Sequence, residues 1–177
     1  MFIRALKQVD LLPAFEILSQ YDLPTSALDI DNLEGFWVAE EEGRIIGVGG
    51  IDLKKHVGLV RLIAVDKYYQ GEGVGKTLYD NIEEYARNMR AIDLYLLTTI
   101  AEQYFNKLGY EAIERDLAPL PIQKSTQFIA LCPQSVTLMQ KSLNLVQGRR
   151  EFDTGLFCAE SILTTVAEYY GEPEQST

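Results

Sequence analysis

The chain has 177 residues, the size of one domain or of one domain with a short appendage. Sixteen Lys and Arg against 26 Asp and Glu give a formal charge of −10, a surface that repels phosphate backbones and disfavours nucleic-acid binding. With one histidine, His56, and two cysteines, Cys132 and Cys158, no His/Cys zinc site can be assembled, and no apolar run reaches the roughly 18 residues of a membrane span.

Phe2–Leu6 reads as a short strand. Asp10 is placed to cap a helix to about Gln20, with Pro13 in its first turn and Leu11, Leu12, Phe15 and Leu18 as its apolar stripe. Asp22–Leu33 is polar, a short helix with loops. Gly35–Glu41, Arg44–Leu53 and Val57–Val65 read as three strands of an antiparallel meander, joined by tight turns at Glu42–Gly43 and Lys54–His56. Val74–Arg90 then has helical periodicity through Val74, Leu78, Ile82, Tyr85, Ala86 and Met89.

Ile92–Thr98 is a near-continuous apolar strand, the mark of burial on both faces. Thr99 and Glu102 fit a capping box for a helix that ends before Gly109. Tyr110–Ile113 reads as a strand, Leu117–Ile122 with its two prolines as a loop, Gln127–Leu131 as a last strand and Pro133–Lys141 as a helix or helical turn. Residues 142–177 read as a linker and a tail, in which Phe157–Tyr170 forms an amphipathic helix. The opening residues lack the apolar core of a secretory signal, so a cytoplasmic location with free thiols is expected.

The segment that carries chemistry is LVRLIAVDKYYQGEGVGKTL, residues 59–78. An apolar strand is followed by three glycines at alternate positions and then a helix, an arrangement that aims backbone N–H groups and the positive helix end at an anion. A glycine-rich turn that merely caps the helix is the other reading. The Walker A pattern fails because Gln70 stands where its first glycine belongs, and G-x-G-x-x-G fails in both frames.

What fits is Q-x-x-G-x-G, as Gln70-Gly71-Glu72-Gly73-Val74-Gly75. This resembles motif A of the GNAT superfamily of acetyl-coenzyme A-dependent N-acetyltransferases, and the element order over residues 1–141 is similar to that family's fold. The resemblance implies an α/β (α+β) GNAT acyltransferase fold: a mixed, mostly antiparallel sheet flanked by helices. It implies a bulged strand whose Leu62, Ile63, Ala64 and Val65 pair with pantetheine, and a loop, Gln70–Lys76, that cradles the CoA diphosphate. That loop comprises Gln70, Gly71, Glu72, Gly73, Val74, Gly75 and Lys76. Thr99 and Phe105 join the cofactor-binding set, acetyl-CoA is the cosubstrate, and no metal is needed.

The family's A-x-x-F-Y-x-x-x-G-[FY] frame aligns with Ala101–Tyr110. Its usual proton-donating tyrosine is Phe105 here, and Tyr104 stands one residue earlier, about 100° around a helix. Tyr104 and Thr98 are candidates for returning a proton to the thiolate, alongside Thr99 and water; Tyr104 as a plain groove aromatic is the other reading. No carboxylate occupies the strand Gly58–Arg61, where relatives place a base. Glu40 and Glu41 are substitutes, or simply a solvated hairpin end. Arg61, inside an apolar strand, is a candidate for a substrate anion, or a salt-bridged arginine.

Pro119–Ser135 is similar to the arsenic-resistance (ArsN-type) branch, implying an amino-acid-like or organoarsenical amine and a buried Cys132. Gly155–Gly171 resembles the opening of the C_GCAxxC redox family without its later cysteines; a helix that packs on its own domain or mediates a homodimer is the other reading. The expectation is acetyl transfer to a small-molecule amine. A non-catalytic acyl-CoA-binding regulator, a nucleotide enzyme and a redox protein acting through Cys158 remain as alternatives.

Overall fold

The computed structural model describes residues 1–28, 31, 33–131 and 136–143; the expectations for Cys132, Cys158 and the tail lie outside them. Seven strands form one sheet in the order β1-β2-β3-β4-β5-β7-β6. They are β1 (Phe2–Ala5), β2 (Phe36–Glu41), β3 (Arg44–Lys54), β4 (Val57–Val65), β5 (Asp93–Thr98), β6 (Glu111–Ile113) and β7 (Thr137–Ser142). The helices are α1 (Leu11–Ser19), α2 (Val74–Asn88), α3 (Glu102–Lys107) and α4 (Leu120–Gln123). The strands β1 to β4 form the expected antiparallel meander. Glu42 and Gly43 both have positive φ, 49° and 78°, the backbone that a two-residue turn needs to follow strand twist.

Alternation along the strands divides the core between two faces. Phe36, Val38, Val48 and Ala64 pack under α1 with Leu11, Ala14 and Leu18. Trp37, Ala39, Ile46 and Val65 pack under α2 with Val74 and Leu78. A β-carbon at Gly47 would stand 2.8 Å from Leu78 Cδ1 and 3.2 Å from Val74 Cγ1, so glycine leaves room for these α2 side chains on β3. Fully burying Leu78 and Ile82 stabilises the domain by roughly 1.5–3 kcal/mol each. On the sheet face under α1 the residues differ from the expected stripe: Ala14 and Ile17 are buried, whereas Leu12 is exposed. Met89, expected in the stripe of α2, is likewise exposed.

Four local expectations are overturned. Asp10 holds the N-cap position of α1 but its side chain does not cap it: the carboxylate accepts from the Lys7 N–H at 2.8 Å and pairs with Arg4 at 2.6 Å, closing the short 3-10 turn (Gln8–Asp10) that precedes the helix. The prolines of residues 117–122 start a helix instead of breaking one: Pro119 is the N-cap of α4 and Pro121 lies in its first turn, where a missing N–H costs nothing. Gln127–Leu131 is a π-helical turn, not a strand, begun by Ser125, whose hydroxyl accepts from the Phe128 N–H at 3.2 Å. Thr137–Ser142 is a strand, not helix. It lies between β5 and β6 with Leu138 and Met139 both buried, so burial on both faces erases the alternation that marks a strand.

Candidate functional site

The strands β4 and β5 run parallel, and their register comprises Val57–Asp93, Gly58–Leu94 and Leu59–Tyr95. Beyond Leu59 they part. The cause is on the other edge of β4. There Val48 faces Ala64 and Gly50 faces Arg61, so Gly49 alone opposes Leu62 and Ile63. This bulge puts Leu62 at φ 55° and bends the strand. It also resets the alternation, so Arg61 and Leu62 both point to the face covered by α1: the Arg61 guanidinium lies over the Phe36 ring at 5.7 Å, and Leu62 packs in the same cluster. From Leu62 to Val65 the free edge of β4 faces the gap.

The gap runs into the glycine loop. Asp66 closes β4: its N–H donates to the Ile46 carbonyl at 2.8 Å, and its buried carboxylate accepts from the Tyr68 N–H at 3.0 Å. Gly71 and Gly73 have φ of 81° and 83°, where side chains are strained, and a β-carbon on either would meet no atom within 4 Å. Gly73 is the N-cap of α2 and gives no side-chain cap. The first N–H groups of this 15-residue helix therefore have no side-chain cap and open beside two glycines whose Cβ positions are empty. Lys76, in that first turn, pairs with Asp80 at 2.6 Å, which raises its pKa.

A buttress behind the loop had no local signal in the sequence. The Tyr21 hydroxyl donates to the Val65 carbonyl at 2.6 Å and accepts from Gln70 Nε2 at 2.6 Å, while Gln20 Oε1 accepts from the Lys67 N–H at 3.0 Å. Residues almost fifty positions apart thus fix the end of β4, and Gln70 acts on the loop from behind it.

On the far side of the gap, Thr98 is buried at the end of β5 and Thr99 is exposed. The expected capping box is not formed: α3 begins at Glu102, and it is Thr98 Oγ1 that accepts from the Ala101 N–H at 3.0 Å. Tyr104 and Phe105 stack edge-to-face at 5.2 Å, and Phe105 stacks on Tyr110 at 5.7 Å. The Tyr104 hydroxyl reaches back toward α2, 3.9 Å from a β-carbon position on Gly75. Burial raises its pKa, against the pull of Lys76, so it holds its proton at neutral pH. Burial lowers the pKa of Arg61, opposed by the charge of Asp52.

Neither substitute base is available to the gap. Glu40 accepts from Arg4 Nε at 2.6 Å, and Glu41 pairs with the N-terminal ammonium at 3.5 Å. Both lie on β2, which β3 separates from β4. Among the described residues no group of three or more His, Cys, Asp or Glu is placed to hold a metal ion, and no helix is long and apolar enough to cross a membrane.

A parted strand pair beside an uncapped helix N-terminus sets a free strand edge next to unpaired backbone N–H groups. Comparison with known proteins names the class. The acetyltransferase (GNAT) family model matches residues 3–110, and the chain belongs to that family. An amino-acid acetyltransferase of Mycobacterium tuberculosis is 31% identical over 114 residues, 62% of this chain and 63% of that protein. N-acetyltransferase 8 of Rattus norvegicus is 35% identical over 80 residues, 41% of this chain and 36% of that protein. The chain therefore spans under two thirds of the length of these relatives.

Solved structures show the same fold. Rv2747 of Mycobacterium tuberculosis, in complex with CoA and NLQ, matches with a TM-score of 0.70 at 20% identity, over 81% of this chain and 99% of that one. N-acetylglutamate synthase of Neisseria gonorrhoeae, complexed with coenzyme A and N-acetyl-glutamate, matches at 0.70 and 18% identity, over 80% of this chain and 35% of that one.

Proposed function

We propose that this protein transfers the acetyl group of acetyl-CoA to the amine of a small molecule by direct attack. The observation that carries this reading is the continuity of the β4–β5 gap with the open N-terminus of α2. Pantetheine lies along Leu62–Val65 as an added strand. The diphosphate sits on the N–H groups of Gln70–Lys76, where the negative charge of Glu72 turns outward. Thr99 and Phe105 line the opposite wall. Backbone N–H groups near Ile63–Val65 polarise the thioester carbonyl, which is worth most where water is excluded.

The neutral amine attacks the acetyl carbon; the N–C bond forms, the C–S bond breaks and the thiolate leaves. The amine loses its extra proton to water: among the described residues, neither Leu62–Val65 nor Leu94–Thr98 includes a carboxylate. Tyr104 returns a proton to the sulfur from the α3 side, and Thr98 holds the start of that helix in place. Arg61, on the α1 face beside the bulge, attracts an anionic group of the acceptor. Amino-acid-like acceptors and organoarsenical amines both satisfy these terms, and the amino-acid acetyltransferase relative favours the first.

Calorimetry with acetyl-CoA on the wild type and on Gly73→Asp tests the reading, with ATP–Mg²⁺ as control. Binding by the wild type that the variant loses is expected, followed by CoA release in an amine screen. Absence of acetyl-CoA and CoA binding would sink the proposal. Binding without turnover on any amine would leave an acyl-CoA-sensing regulator instead.

A further inference from the structure

Residues 115–131, between β6 and β7, cross the sheet face opposite α2 as a 3-10 turn (Arg115–Leu117), α4 and the π-helical turn Gln127–Leu131. Ala118, Ile122 and Phe128 pack it onto Leu59, Tyr95 and Leu97, so it roofs β4 and β5 just where they begin to part. Two polar atoms of this segment are buried without a hydrogen-bond partner. The Arg115 guanidinium is fixed in place: it stacks over the Phe128 ring at 4.2 Å, and its Nη2 donates to the Phe128 carbonyl at 3.1 Å. Its Nη1 is sealed from solvent with no hydrogen-bond partner, and so is Oε1 of Gln127, the residue before Phe128.

A buried donor and a buried acceptor without partners are costly, and native structures keep them for a reason. A π-helical turn is also rare and recurs at functional sites. All three departures fall in one segment, beside the place where the acetyl group would be delivered.

We propose that Arg115 and Gln127 form the acceptor-binding pair and that the acceptor class is α-amino acids. Arg115 Nη1 donates to the α-carboxylate, and Gln127 Oε1 accepts one N–H of the α-amine. An α-amino acid sets an anionic oxygen and an N–H donor side by side, the complement of this pair. An amine held through one N–H keeps its lone pair free for the acetyl carbon. Neither atom touches solvent, so the segment lifts to admit the acceptor and closes over it. Its outward side chains Leu117, Leu120 and Ile129 are 67%, 65% and 68% exposed and add little packing to hold it down.

The proposal rests on the acetyl-transfer reading, and one experiment separates the two. CoA release is followed for the full chain with a panel of L-amino acids, each paired with the amine that lacks its carboxylate. The wild type should prefer the amino acid by about a hundredfold in kcat/KM. Arg115→Met should raise the amino-acid KM about tenfold while the Kd for acetyl-CoA, read by calorimetry, moves less than about twofold. Arg115→Lys should recover part of the loss, and Gln127→Leu should lower kcat as the amine loses its orientation.

Should Arg115→Met fail to fold, Gln127→Leu carries the test through the thermal shift that amino acids give in the presence of CoA, which it should lose. Equal use of both members of each pair, or wild-type acceptor KM in both variants, overturns the pair. Failure of acetyl-CoA to bind at all overturns this proposal and the acetyl-transfer reading together.

Discussion

Tyr104 on α3 leans across to Gly75 in the first turn of α2: its hydroxyl stands 3.9 Å from the place a β-carbon on Gly75 would take, and Val65 Cγ2 stands 3.4 Å from the same point. Those are ordinary contact distances, and Gly75 has no positive φ. Gly75→Ala is therefore expected to fold, and to gain about 0.5–1 kcal/mol from helix propensity. The added methyl nevertheless enters the cleft between the two walls. A melting temperature that holds or rises, with a KM for acetyl-CoA raised several-fold, is the expected outcome. Unchanged KM would place the ligand elsewhere.

The same contact bears on Tyr104 as a proton donor. Its pKa is raised by burial, so the phenol is protonated through neutral pH and can donate. Tyr104→Phe should lower kcat by about 10²-fold if it protonates the thiolate, the lower end of the effect of a positioned acid. With no carboxylate among the described residues Leu62–Val65 and Leu94–Thr98, kcat/KM should also climb with pH until the acceptor amine is itself deprotonated. A kcat close to wild type with only the KM for acetyl-CoA altered would make Tyr104 a wall of the diphosphate site and leave protonation to water.

The meander and the glycine loop were legible because their signals are local. Alternation in β2 to β4, the Glu42–Gly43 turn and the glycines of residues 71–75 are each set by neighbours in sequence. The bulge at Leu62 and Ile63 entered only through family resemblance, since an apolar run does not show where register slips. Tyr21 and its bond to Val65 were invisible for the opposite reason: no spacing rule links residues 44 positions apart. Between Leu117 and Ser142 the described segments were misread. There, prolines initiate a helix and a strand buried on both faces loses its alternation, so tertiary partners decide what local pattern cannot.

Behind α3, Glu83 gathers three donors. Lys141 Nζ donates at 2.6 Å, the Tyr79 hydroxyl at 2.7 Å and Arg87 Nη2 at 2.7 Å. Burial works to raise the pKa of Glu83, yet these bonds hold it below the usual carboxylate range. The Lys141 ammonium also lies over the Tyr79 and Tyr110 rings, and Tyr110 supports Phe105. Lys141→Met keeps the stem and removes the charge. Arg87 remains, so the cost should be about 2 kcal/mol, below the 3–5 of a buried pair left with no other partner. For a chain of this size that lowers the melting temperature by about 4–8 °C. Tyr79→Phe should cost about 1 kcal/mol. Denaturant curves that leave Lys141→Met as stable as wild type would show that the network contributes nothing net.

Asp10 predicts how the fold responds to acid. It is 4% exposed, and its carboxylate accepts from Arg4 Nη1 and Nη2 at 2.6 and 2.9 Å. Those bonds, chiefly, hold its pKa below the ordinary 3.8, against the opposing pull of burial. A carboxyl whose pKa is lower folded than unfolded binds its proton more tightly in the unfolded chain. Its contribution is complete above about pH 4–5 and is lost as pH falls through the folded value. Asp10→Asn should destabilise the protein by about 1–3 kcal/mol at pH 7. As the pH is lowered below about 4, the difference between variant and wild type should shrink, because the wild-type carboxyl becomes neutral too. Urea titrations of both proteins from neutral pH downward measure this; two curves that stay parallel across the acid limb would mean that the Arg4 pairing is not what holds Asp10 ionised.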